Sequence, residues 1–223
     1  MSKRIALTIA VLMLAATAPT IAQSAGHVVV NGFLGWVFSD GVDGNPIVAG
    51  DGNVYDRVDP KDSFSYGFTA NFMATDHVGV GFMFTNQQSK FVLGDGTDRE
   101  VADWNVRTYH GIVEYNFGDP GNVARPFLFG GFGATSYSSF DALVAGVNHP
   151  IGGDTRFSST WGGGVKAYPG KVVGVMAQLR FTPTYIKTDP GGWWCDPFWG
   201  CYAVGNPQYA NQFEFSGGVT LRF

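Results

Sequence analysis

From Ser63 to Ala74 the chain alternates with a period of two. Phe64, Tyr66, Phe68, Ala70, Phe72 and Ala74 fall on one side, and Ser63, Ser65, Gly67, Thr69, Asn71 and Met73 on the other. Successive side chains of a strand point to opposite faces, so this spacing predicts a strand with one apolar, mostly aromatic face and one face of small, mostly polar residues. The same rhythm returns in Val28–Phe38, Val78–Thr85, Trp104–Phe117, Phe157–Tyr168 and Val172–Thr182. With Phe127–Tyr137, a strand by composition, and Gln212–Phe223, the count is eight. The phase of Phe127–Tyr137 stays open at this level, because Phe127, Phe129, Leu128 and Phe132 occupy both sides.

The connections alternate in length. Thr75-Asp76-His77, Gly118 to Arg125 and Pro169-Gly170 are short and carry turn chemistry, whereas residues 39 to 62, 86 to 103, 138 to 155 and 183 to 211 read as long loops. Short turns at one rim and long loops at the other are the pattern of an outer-membrane barrel, and an even strand number puts both termini at the short-turn rim. Beyond the N-terminal segment no apolar run reaches the ~18 residues of a spanning helix, so a membrane-crossing chain of this kind must be a closed barrel, which pairs every backbone group. A soluble eight-stranded barrel also alternates, but its lumen has no room for eight inward-facing aromatic stripes. Its outer face would then be Gly, Ser, Thr and Asn, with far too little charge for a soluble surface. Charged residues are 14% of the chain against a usual ~25%. The fold class predicted is all-β, an eight-stranded antiparallel up-and-down transmembrane barrel over residues 23–223.

Residues 1–22 read as a secretory signal peptide: Lys3 and Arg4, an apolar stretch from Ile5 to Ala18, and a small-residue cleavage site near Ala22. Its removal takes the formal net charge from -4 to -6, and that acidity argues against nucleic acid as a partner. In an exported chain, Cys195 and Cys201 read as a disulfide stapling one loop, worth about 2 to 2.5 kcal/mol by loop-closure arithmetic.

The last strand, Q-F-E-F-S-G-G-V-T-L-R-F, puts Phe213, Phe215, Val219, Leu221 and Phe223 on one face. It resembles the C-terminal signal of bacterial outer-membrane proteins, which implies recognition by the outer-membrane assembly machinery. Arg125-Pro126-Phe127 with Gly130-Gly131-Phe132-Gly133, and Trp161-Gly162-Gly163-Gly164-Val165-Lys166, are similar to the fifth and sixth strands of the OmpA-like and OmpX-like small barrels. That resemblance covers about residues 27 to 223 and specifies architecture more than activity. Members with a periplasmic peptidoglycan-binding domain extend past the barrel, and this chain is expected not to.

Phasing each strand by its aromatic face directs His110, Glu114, Lys166, Gln178, Arg180, Glu214 and Arg222 inward. A Lys or Arg on the lipid side would cost about 2 to 4 kcal/mol at the midplane, which favours that assignment. Charges enclosed in a narrow lumen need partners, so Glu114 and Glu214 are expected to pair with Lys166, Arg180 and, in one arrangement, Arg222. The resemblance implies the same, since small barrels of this kind carry internal salt-bridge networks treated as gates. A static plug and a gate both fit such a network.

Trp193, Trp194, Phe198, Trp199 and Tyr202 surround the cysteines in the last loop and read either as a recognition surface for an extracellular glycan, protein or lipopolysaccharide, or as a self-packed cap. Asp40, Asp43, Asp51, Asp56, Asp59 and Asp62 lack the spacing of a calcium loop and read as a solvated acidic loop. No metal or cofactor site is expected. A lipid-modifying enzyme would need His, Ser and an acid near the outer leaflet, and only His149 with Ser138 or Ser139 approaches that in sequence. The function expected is a non-enzymatic integral outer-membrane protein, contacting outer-membrane lipid, with a structural or surface-interaction role. The alternative is a narrow gated channel for small solutes, and a lipid-modifying enzyme is the most distant.

Overall fold

The computed structural model describes residues 26–40, 42–48, 54–94, 99–144, 147–170, 172–186 and 208–223. Cys195, Cys201, the aromatic cluster from Trp193 to Tyr202 and residues 1–22, read above as a signal peptide, lie outside the described residues. The elements are β1 (Val28–Ser39), β2 (Val42–Val48), β3 (Val54–Pro60), β4 (Ser63–Met73), β5 (Val78–Gly94) and β6 (Arg99–Asn116). They continue with β7 (Ala124–Tyr137), β8 (Phe140–Val144), β9 (Val147–Ile151), β10 (Asp154–Ala167), β11 (Val173–Ile186) and β12 (Gln208–Arg222).

Eight of these strands pair in the cyclic order β1-β4-β5-β6-β7-β10-β11-β12, every pair antiparallel, and β12 closes onto β1. Closure runs the length of the seam from Val29 opposite Arg222 to Ser39 opposite Gln212. Beyond it, Val28 and Phe223 exchange backbone bonds of 3.1 and 2.9 Å. Both described chain ends therefore sit at the short-turn rim. In the β4–β5 turn the Thr75 hydroxyl accepts from the backbone of Val78 at 2.9 Å, a local bond that competes with strand continuation and stops β4.

The barrel is inverted relative to a water-soluble protein. Among the described residues, buried polar or charged side chains outnumber buried apolar ones by 26 to 14, while Leu34, Phe132, Leu179 and Phe215 are each at least 58% exposed on the outer wall. Such an outer face is stable only against hydrocarbon. Ring pairs knit the face across strands: Phe68 to Phe84 at 5.8 Å and Phe84 to Tyr109 at 5.3 Å.

The phase of β7, open in the sequence, is resolved as strict alternation with Phe127 and Phe129 inward and Leu128 and Phe132 outward. Two inward rings fit because facing strands offer glycine. A Cβ at Gly162, directly opposite Phe129, would meet that ring at 2.5 Å. Phe33 lies over Gly67 in the same manner, with the added Cβ 2.8 Å from its ring.

All four stretches read as long loops contain ordered strand, the last of them at its ends, where Pro183 to Ile186 pairs with Gln208 to Asn211. Residues 42–48 and 54–60 form the hairpin β2–β3, which adds to β5 from Arg57 opposite Gly94 to Pro60 opposite Phe91. β5 and β6 continue through most of residues 86–103, and β8–β9 is a separate hairpin. The lack of a two-residue apolar repeat concealed these extensions, because strands beyond the bilayer need no apolar face. Asp62 is also built in, its carboxylate accepting from the Ser39 backbone at 2.9 Å.

The inverted polarity sets a testable asymmetry. Leu179→Arg, at an outward position of β11, is expected to lower refolding stability in lipid vesicles by about 2 to 4 kcal/mol. The same replacement in a solvated turn, Asn122→Arg, is expected to change it by less than about 0.5 kcal/mol. Urea titrations followed by the heat-resistant electrophoretic shift of the folded barrel would measure both.

Candidate functional site

The candidate site is the lumen. Inward residues of β6 run Asn116, Glu114, Ile112, His110, Thr108 from the short-turn rim upward, a sequence of polar, apolar and again polar side chains.

Near the short-turn rim, Lys166 of β10 is bonded to Glu114 of β6. The second carboxylate oxygen accepts from Asn71 of β4 at 3.0 Å, and Asn116 donates to the first at 2.9 Å. Strands β4 and β10 are four apart in the cycle of eight, so this tier crosses the whole lumen. The Lys166 ammonium also sits 4.5 Å from the centre of the Phe127 ring. All its charge is sealed, with Glu114 and Lys166 at most 2% exposed.

Above it lies an apolar layer of Phe33, Met83, Ile112, Phe127, Phe129 and Met176. A second crossing tier follows. Arg180 of β11 is bonded to Glu214 of β12 and reaches the opposite wall, donating to Thr85 of β5 at 3.2 Å and Thr108 of β6 at 3.4 Å. Higher still, Thr135 bonds Ser158 and Thr184 at 2.9 and 3.0 Å, and Gln212 donates to Gln87 at 2.7 Å.

The two ion pairs are thus separate among the described residues, Lys166 lying over Phe127 of the apolar cluster and Arg180 donating to the Met83 sulfur. Arg222 takes a different partner, its guanidinium stacked 3.2 Å from the ring centre of Tyr168. His110 is bonded to Ser158 at 2.9 Å. Both residues of that Ser–His contact are 0% exposed, and the other ring nitrogen of His110 has no partner among the described residues. Sequence reasoning did not bring these two together because they lie 48 positions apart.

Arg125, read only as part of a family stretch, is buried and ties two turns together. It donates to the carbonyl of Asp76 at 2.8 Å and to those of Gly118 and Phe117 at 3.3 and 3.4 Å. The undecided phase of β7 hid it. Of the C-terminal aromatic stripe, Phe213, Phe215, Val219 and Phe223 are exposed on the lipid face and Leu221 is half-buried. No group of three or more metal-ligating side chains converges among the described residues.

Residues 7–223 match the profile of a family described as the outer membrane protein beta-barrel domain. A search of curated proteins returns no match. Among solved structures, the chain is similar to the outer membrane protein OprG from Pseudomonas aeruginosa, with 15% identity, a TM-score of 0.59, and coverage of 91% of this chain and 99% of that one. It is also similar to the outer membrane protein AlkL in lipid bilayers, with 13% identity, TM-score 0.55 and coverage of 92% and 94%. Neisserial surface protein A gives 12% identity, TM-score 0.52 and coverage of 90% and 99%. At these identities the likeness is one of fold.

Breaking one partner of a buried pair leaves an uncompensated charge. Glu214→Ala is therefore expected to destabilise the barrel by about 3 to 5 kcal/mol, whereas Arg180→Met combined with Glu214→Leu is expected to recover most of that loss. A double-mutant cycle from urea unfolding in detergent micelles checks both.

Proposed function

The chain belongs to the outer membrane protein beta-barrel domain family, and from that premise we propose a non-enzymatic integral barrel with a structural or surface-interaction role in the cell envelope. The observation that carries this reading is the lumen, crossed twice by ion-paired tiers with an apolar layer between them. An unoccupied water path would require those tiers to part.

The strands that overshoot the membrane support the same reading. β6 has 18 residues, which at roughly 3.4 Å each run about 60 Å. Even tilted by about 40°, such a strand exceeds an apolar band ~25 Å tall. The excess of β5 and β6, with β2 and β3 paired beside it, forms a four-stranded sheet at the long-connection end. A sheet raised on a membrane anchor suits contact with an extracellular glycan or protein through its main-chain edges and loops.

A narrow gated channel is the second reading, and one feature favours it. Arg180 and Glu214 are joined through a single nitrogen and a single oxygen, with Arg180 Nε and Glu214 Oε1 left without partners among the described residues. A pair held by one bond rotates apart more readily than a two-pronged fork.

Planar-bilayer recording separates the two. The proposed role predicts that the refolded wild-type barrel, and the variant carrying Glu114→Gln with Glu214→Gln, both stay at the conductance of an empty membrane. Discrete openings that appear in the variant, with the fold intact by electrophoretic shift, would establish the gate instead.

A further inference from the structure

The outer wall carries a charge at a height where most of the other strands carry rings. Arg107 stands nine residues up β6 from its short-turn end, and it faces outward between the inward side chains of Val106 and Thr108. Eight to ten residues up their own strands stand Trp36 and Phe38 on β1, Phe64 on β4, Phe157 on β10, Phe181 on β11 and Phe213 on β12. Together these rings make an upper aromatic girdle, and it is interrupted on β5 and β6, where the same height holds Asn86, Gln88 and Arg107. Among the described residues of the eight barrel strands, no other Lys, Arg, Asp or Glu side chain faces outward within ten residues of the short-turn rim.

Height identifies what lies against this gap. Nine residues at roughly 3.4 Å each, tilted by about 40°, rise about 23 Å, close to the full ~25 Å of the apolar band. Arg107 is therefore at the boundary of hydrocarbon and head groups on the long-connection side. Phe84 and Tyr109, two residues lower on β5 and β6, have ring centres 5.3 Å apart, and Phe132 of β7 is 60% exposed beside them. An acyl chain lying on these rings ends with its head group at Arg107.

The side chain is also aimed. Asn86, directly opposite on β5 and 4% exposed, accepts from Arg107 Nε at 3.3 Å. That bond takes the inner nitrogen of an exposed guanidinium and presents the two terminal nitrogens outward. A planar fork of N–H donors matches two oxygens of one phosphate. Ser136, opposite Arg107 on β7, accepts from Thr155 at 3.2 Å and keeps its own O–H as a donor. The acids on the same strands are engaged elsewhere: Asp103, farther up β6, lies opposite Lys90, and Asp154 of β10 pairs with Arg156 at 2.6 Å.

We infer that Arg107, oriented by Asn86, binds the phosphate of an outer-leaflet lipid, with Gln88 and Ser136 beside it and the acyl chains laid over Phe84, Tyr109 and Phe132. The bound head group lies at the foot of the sheet that β5 and β6 raise above the membrane. The site belongs to the outer wall and stands whether or not the lumen conducts.

Native mass spectrometry of the full chain, refolded in detergent micelles doped with diphosphoryl lipid A, tests the site. One retained lipid per barrel is expected, with affinity lower by roughly tenfold for lipid A stripped of its phosphates, the worth of one charge-assisted contact. Arg107→Gln is expected to lose as much, Arg107→Lys less, and Lys90→Gln nothing. Four results would overturn the inference: phosphate-free lipid A held as well as the phosphorylated form, undiminished affinity in a folded Arg107→Gln variant, equal loss in Lys90→Gln, or displacement of the lipid by equimolar inorganic phosphate. If Arg107→Gln fails to fold, the comparison of the two lipids on the wild-type chain decides.

Discussion

Hydrocarbon offers no partner to a backbone N–H or C=O, and each one left unpaired there costs several kcal/mol. Everything else in this protein follows from meeting that demand with strands. An open sheet would leave two edges bare in lipid, so the first and last strands must find each other. The seam between β1 and β12, from Val29 opposite Arg222 to Ser39 opposite Gln212, is where the fold is completed. The C-terminal strand is held on both sides, by β1 and by β11, which makes its aromatic stripe part of a continuous outer belt.

Closure reverses the usual economy of burial. The apolar faces go outward, and the interior of the barrel inherits the polar residues, charges included. In a narrow lumen those charges lie far from bulk water, so each must be matched within reach of its own side chain. Lys166 and Arg180 are long enough to do so across strands, while Asn71, Thr85 and Thr108 supply the opposite wall. Glycine makes the rest possible: inward rings such as Phe129 and Phe33 fit only over a neighbour without a Cβ. The lumen is therefore a packed core in which two ion-paired tiers are separated by an apolar cluster.

The eight-fold strand pattern was legible because a bilayer imposes a strong, repeated contrast between the two faces of each strand. Where that contrast lapses, reading from sequence loses its grip. Phe127 and Phe129 broke the pattern on β7 because they turn inward, Phe129 over Gly162 of β10 and Phe127 beneath the Lys166 ammonium, and Arg125 was obscured with them. The extensions of β5 and β6, and the hairpins β2–β3 and β8–β9, lie outside the lipid and carry no such contrast. The contact of His110 with Ser158 joins β6 to β10, two strands that are not neighbours in the barrel.

By itself, the sequence determined the period, the number of crossings and the inward direction of Glu114, Lys166, Arg180, Glu214 and Arg222. Those are local properties, set by a two-residue repeat and the cost of charge in lipid. Only the tertiary structure decided which charges meet, because partners in a lumen are chosen by strand register and by the distance across the barrel. Register put Glu114 within reach of Lys166, gave Glu214 to Arg180, and left Arg222 to the ring of Tyr168.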